Sequence, residues 1–201
     1  MRSTTLAKKS SLTLQALALT GWLLILSLPS TTFAAQESEE VANHVLAGET
    51  ALKQQEFQRA ATEYRLAAEL SEDSEVAEQA TRIAYTYEFN DDAIRSARRW
   101  AELEPDSDEA LLYVAQIYLR IGEIRESRRS FEKLLEKGDA AVDERLMSLV
   151  PVLSREDANN GYELMRQLAR PYRDSVFAHY AVAVMALQAG ELETAGERAQ
   201  D

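Results

Sequence analysis

The side chains that could do chemistry in this 201-residue chain are few and poorly spaced for it. There are two histidines, His44 and His179, and no cysteine. Without cysteine there is no thiolate nucleophile, no zinc–thiolate site and no disulfide framework. The histidines occupy the same position of a repeat described below and lie several repeats apart. They are read as partly buried packing residues at helix pairs, because a shared metal needs convergent donors. Adjacent carboxylates at Glu39–Glu40, Glu72–Asp73 and Asp91–Asp92 have the right residue type for general acid–base work. Near helix starts they are read instead as charges that favour the positive end of the helix dipole. Asp106, Ser107 and Asp108 read as an N-cap cluster for a helix beginning near Glu109, and Asn159–Asn160–Gly161 as a turn. The chain has no H-E-x-x-H, P-loop, G-x-S-x-G or glycine-rich phosphate cradle. No catalytic residue, cofactor or metal is expected.

Two arginine clusters remain, Arg95, Arg98 and Arg99, then Arg125, Arg128 and Arg129 one repeat on. They could form a site for an acidic partner or a lipid headgroup. The favoured reading is i,i+4 pairing with Glu102, Glu132 and similar neighbours on a solvated outer face.

The elements behind these residues are helical. The chain is rich in Ala, Leu, Glu and Arg, has only 7 Gly and 4 Pro, and shows no sustained alternation of apolar and polar residues. The first 34 residues stand apart. Arg2, Lys8 and Lys9 precede an apolar run from Leu12 to Leu28. Thr32 and Ala34 then suit a signal-peptidase cut before Ala35. The run is long enough that an uncleaved membrane anchor is the alternative. Either way the body is exported, and a disulfide-free exported body fits a bacterial periplasm. QESEE at 36–40 reads as a solvated spacer. All 34 acidic residues lie in the exported part against 19 basic ones, a net charge of −15. A surface so acidic repels phosphate backbones, so nucleic acid is not an expected partner, and membrane contact is expected only through the N-terminal helix.

From residue 41 the sequence repeats. Steps of 33 or 34 residues connect Ala60, Ala93, Ser127, Gly161 and Ala195, all small. A second series, Gly48, Thr81, Ala115, Leu149 and Ala183, is small in four places. A third, Tyr64, Ala97, Phe131, Met165 and Ala199, is large and apolar in three. Turn glycines fall at Gly122 and Gly190, where the other repeats have Gln55, Glu88 and Glu156. Antiparallel helices approach closely only where facing residues are small, and a large residue one turn on fills the gap beside the notch. Hairpins that cannot bury their apolar faces alone must stack. Pro151, inside the first helix of the fourth repeat, should bend or end that helix.

The stretch ALLYVAQIYLRIGEIRESRRSF, with Ala115, Tyr118, Gly122, Ser127 and Phe131, resembles a tetratricopeptide repeat (TPR). LAGETALKQQEFQRAATEYRLAAEL at 46–70 is similar, with Gly48, Phe57, Ala60, Tyr64 and Ala67 at family positions. Pro105 stands where the family ends a repeat, whereas Trp100 replaces the usual alanine and Leu149 is bulky at a small position. The resemblance covers 41–201, as repeats 41–73, 74–107, 108–141, 142–175 and an incomplete 176–201. It implies an all-α helix–turn–helix solenoid, a TPR-like right-handed superhelix, preceded by the signal peptide or anchor. Gly48, Ala60, Tyr64, Ala67, Ala93, Ala115, Tyr118, Gly122, Phe131, Ala183, Gly190 and Ala195 are its expected packing and turn residues.

In such arrays the first helices line a groove that binds peptide or protein segments. Carried onto this chain, the resemblance puts Tyr85, Leu112, Gln116, Leu119, Leu146, Val150, Phe177 and Tyr180 against a partner, with Leu153, Val184 and Leu187 on the same face. The face runs from charged to apolar along the chain. The function implied is a non-enzymatic scaffold or adaptor for a protein or peptide in the cell envelope. The alternative is an N-terminal TPR appendage of a longer enzyme whose catalytic domain lies beyond residue 201. That reading comes from the apolar stripe Leu192, Ala195 and Ala199, which suggests an array that continues.

Overall fold

A computed structural model describes residues 30–137 and 141–198. Among these residues there are helices and no strands: α1 (Ser30–Lys53), α2 (Phe57–Leu70), α3 (Ser74–Thr86), α4 (Asn90–Leu103), α5 (Asp108–Arg120), α6 (Ile124–Glu136), α7 (Val142–Leu153), α8 (Ala158–Ala169), α9 (Val176–Gln188) and α10 (Leu192–Arg198). The chain divides into two units, Met1–Glu37 and Ser38–Asp201. Of the first, only the helical backbone from Ser30 is described, so the expected leader or anchor lies almost wholly outside the described residues. None of the described helices is long and apolar enough to cross a membrane. Residues 36–40, expected as a solvated spacer, are exposed and run on as helix. Glu39 and Glu40 consequently sit within α1 and not near a helix start, which corrects the dipole reading for that pair.

In the second unit the helices form consecutive antiparallel pairs at the repeat period, so the chain is a TPR-like all-α repeat protein. The notch logic of the sequence is visible in the packing. Ala60, Ala93, Ala115 and Ser127 are fully buried, as are Ala67 and Phe131, with Tyr64 at 1 % exposure. A Cβ added to Gly48 would stand 2.7 Å from the Tyr64 ring. Two of the sequence markers touch each other: the Ser127 hydroxyl donates to the Ala115 carbonyl across the α5–α6 hairpin at 2.8 Å. Ala183 is only half-buried, because α9 turns Ala181, Val182, Met185 and Ala186 into the core instead. The side chain of Ala195 lies outside the described residues. Trp100 is accommodated by its neighbours, packing at 2 % exposure among Ala68, Ala77, Ala80 and Ala110, with its indole N–H donated to Glu104.

Three of the first helices carry side-chain caps: Asp73 accepts from Glu75 N–H, Ser107 from Ala110 N–H and Ser175 from Ala178 N–H. The Asn159–Asn160–Gly161 stretch is not a turn. It forms the first turn of α8, capped by Asp157, whose carboxylate accepts from Asn160 N–H at 2.9 Å. Gly161 is buried there because a Cβ would meet Met185 Cε at 2.8 Å and the Leu153 carbonyl at 3.2 Å.

The turns within the pairs share one geometry except in the fourth. At Gln55, Glu88, Gly122 and Gly190 the backbone is left-handed, with φ between 62° and 80°. The next N–H reaches five residues back, as from Glu56 to Ala51 and from Glu123 to Tyr118. The fourth turn has no such bond and is one residue longer, spanning 154–157. Pro151 lies in the last turn of α7, which ends two residues later at Leu153.

Candidate functional site

The expected partner-binding residues divide into three sets. Leu119 and Leu146 are fully buried and belong to the core shared by α5 to α9, which corrects their placement on a groove. Leu153, expected on the same face, is also fully buried. The cause is helical spacing. Leu119 is four residues after Ala115 and shares its packing stripe. Leu146, Leu149 and Leu153 fall at i, i+3, i+7 and form one buried edge of α7.

Tyr85, Leu112, Gln116 and Val150 are half-buried. Leu112 and Val150 pack against the same core. Tyr85 is engaged within the fold. Its hydroxyl donates to Glu156 Oε1 at 2.8 Å, and the Arg120 guanidinium lies 4.0 Å above its ring centroid. Arg120 donates to both Glu156 oxygens, through Nε at 3.0 Å and Nη2 at 3.2 Å, and through Nη1 to the Tyr85 carbonyl at 3.2 Å. The Glu156 side chain is 3 % exposed. Burial, followed by the hydrogen bond to Glu156 and its charge, pushes the Tyr85 hydroxyl far above the usual tyrosine range. The group ties together α3, the end of α5 and the α7–α8 turn. Glu156 stands at the repeat position that Glu88 holds in the second repeat, but in a turn one residue longer and without the left-handed φ of Glu88.

Phe177 and Tyr180 are exposed, at 44 % and 56 %. With Leu187 they lie at i, i+3 and i+10 along α9, and Val184 on the same stripe is half-buried. Val176, which sequence reasoning passed over, is the most exposed of the group at 74 %. The segment VFAHYAVAVMALQ is apolar around its whole circumference, a pattern that ordinarily marks a helix buried on all sides. Among the described residues only one side is covered, by α7, α8 and α10.

Two arginines of the first cluster make inter-repeat ties, and two of the second pair within α6. Arg95 pairs with Glu69 at 2.6 Å, and Arg99 with Glu72 and the Ser71 carbonyl, both at 2.8 Å. Pairing along the helix, as expected, also occurs: Arg128 with Glu132 at 3.4 Å, Arg99 with Glu102 at 3.9 Å and Arg125 with the adjacent Glu126 at 2.9 Å. Arg65, 10 % exposed, makes an inter-repeat tie at 2.6 Å from Asp92, a carboxylate read from sequence as a dipole charge alone. His44 contacts Glu63 at 2.7 Å and His179 the Arg173 carbonyl at 2.5 Å. No cluster of three or more potential metal ligands occurs among the described residues.

No family model and no curated protein matches the chain. Solved structures do resemble it. A crystal structure of MamA protein is 13 % identical, with 81 % of this chain and 90 % of that one covered, at a TM-score of 0.46. MamA 41-end from Desulfovibrio magneticus RS-1 is 15 % identical, covering 79 % and 90 %, at 0.44. YrrB, described as a TPR protein with an unusual peptide-binding site, is 14 % identical, covering 85 % and 89 %, at 0.43.

Proposed function

We propose that this chain is a non-enzymatic scaffold or adaptor of the bacterial cell envelope, exported to the periplasm, that holds a partner protein or peptide on the exposed face of its first helices. The observation that carries the reading is the apolar surface of α9. Val176, Phe177, Tyr180 and Leu187 stand in solvent on a helix otherwise locked into the core. Two aromatic side chains on a rigid element are what an interface anchor requires, because they bury large area with little loss of rotamer freedom. The repeat architecture supports the reading, since stacked hairpins fix such residues in register and present them as one extended surface. Export rests on the residues of the first 34 positions: the basic start, the apolar run and the small residues at Thr32 and Ala34.

The test is capture of partners by in vivo crosslinking, comparing the wild type with a Phe177→Ser/Tyr180→Ser variant. Both positions are solvent-facing, so the variant is expected to keep its stability within about 0.5 kcal/mol. A partner held by the wild type and lost in the variant supports the scaffold. Equal capture by both removes α9 as the site.

A further inference from the structure

We infer that the seam between the third and fourth repeats is a second, separate site, one that takes a peptide segment carrying an apolar side chain next to a carboxylate side chain. Among the described residues the seam is closed at one edge and open at the other. At the edge near the Gly122 turn, Glu156 fastens the α7–α8 turn to Arg120. At the opposite edge, where α5 begins and α6 ends, α7 packs chiefly on α9 and leaves a cavity of about 500 Å³. Its walls are apolar, with Leu112 from α5, Leu134 from α6, and Leu149 and Val152 from α7.

Charge in this cavity is not balanced. Asp108 and Glu109 border it, but both are already engaged. Lys137 holds Asp108 at 2.8 Å, and Arg82 holds Glu109 at 2.7 Å. The remaining charge is Arg145, whose Nε and Nη1 are buried without a hydrogen-bond partner. Two buried guanidinium N–H groups without an acceptor are costly, and a carboxylate brought into the cavity offsets that cost. The leucine and valine walls would bury the neighbouring apolar side chain. The occupant is therefore an acidic–apolar peptide segment. A free anion has nothing to bury against these walls, and a purely apolar segment leaves Arg145 uncompensated. This site shares no residue with the α9 face, so either can fail without the other.

The experiment is selection of a random heptapeptide library on the full chain, with binding measured by fluorescence anisotropy against three variants. Peptides are expected to emerge with Asp or Glu beside Leu, Ile or Phe. Arg145→Met should weaken them at least tenfold while leaving the melting temperature unchanged or raised. An arginine with a purely structural role would lower it. Ser148→Phe, an exposed position lining the cavity, should block them with Arg145 intact. Phe177→Ser/Tyr180→Ser should bind them normally. Selected peptides without acid enrichment, or bound equally by Arg145→Met, overturn the inference. So does failure to select any peptide that distinguishes wild type from Arg145→Met. Octanoate binding with higher affinity than every selected peptide would assign the cavity to a fatty acid and overturn it as well.

Discussion

Gly122 and Gly190 stand at positive φ with almost nothing where a Cβ would go. The nearest atom to a Cβ on Gly122 is Asn160 Nδ2 at 3.9 Å, and Gly190 has none within 4 Å. The cost of alanine there is therefore backbone strain alone, about 1 kcal/mol at each site, measurable by urea unfolding. Gln55 and Glu88 already bear that strain at φ 62°. Changing either to glycine should stabilise the fold by about 0.5–1 kcal/mol in the same assay, because relief of strain slightly exceeds the added freedom of the unfolded chain. Gly48 is a different case. Its constraint is the Tyr64 ring at 2.7 Å, a core side chain at 1 % exposure, so Gly48→Ala should cost about 1–3 kcal/mol through overpacking. The sequence showed where the small residues recur. Which of them answer to backbone and which to packing became visible only with the turns in place.

At the scale of elements, the fourth repeat is where spacing alone misleads. A one-residue shift rotates a helical position by about 100°. A groove register carried by analogy onto α7 therefore mixes its core edge with its outer face, as Leu146 and Leu153 demonstrate. Glu156, in the longer turn after α7, is held by Arg120, a contact no local pattern signals because the partners lie 36 residues apart. Glu156→Gln should cost about 3 kcal/mol of stability by leaving Arg120 without its charge partner. The Tyr85 hydroxyl adds a pH dependence. Its folded pKa is raised, so the protonated form is favoured in the folded chain. That contribution is fully present below about pH 10, where an unfolded tyrosine begins to ionise, and is lost progressively above it. Tyr85→Phe should accordingly flatten the loss of stability between neutral pH and alkaline conditions, as read by denaturation midpoints.

For the whole molecule, period and composition made the helical-repeat architecture readable in advance. Which of the candidate surface residues are exposed was readable only in part. Phe177 and Tyr180 are exposed. Tyr85 is drawn into an inter-repeat tie, and Leu119 and Leu146 into the core. Exposure is a property of how α9 meets α7 and α8, and an apolar segment such as VFAHYAVAVMALQ carries no mark of which side will stay wet. The central claim is that this side of α9 is the contact surface. It is tested most directly by placing a photo-crosslinking amino acid at Tyr180 and, separately, at Arg129 on the exposed side of α6, then illuminating cells that produce the full-length protein. A discrete crosslinked partner from position 180 and none from position 129 is the expected result. Crosslinks from 129 alone, or none from 180 in a stably folded chain, would contradict the account.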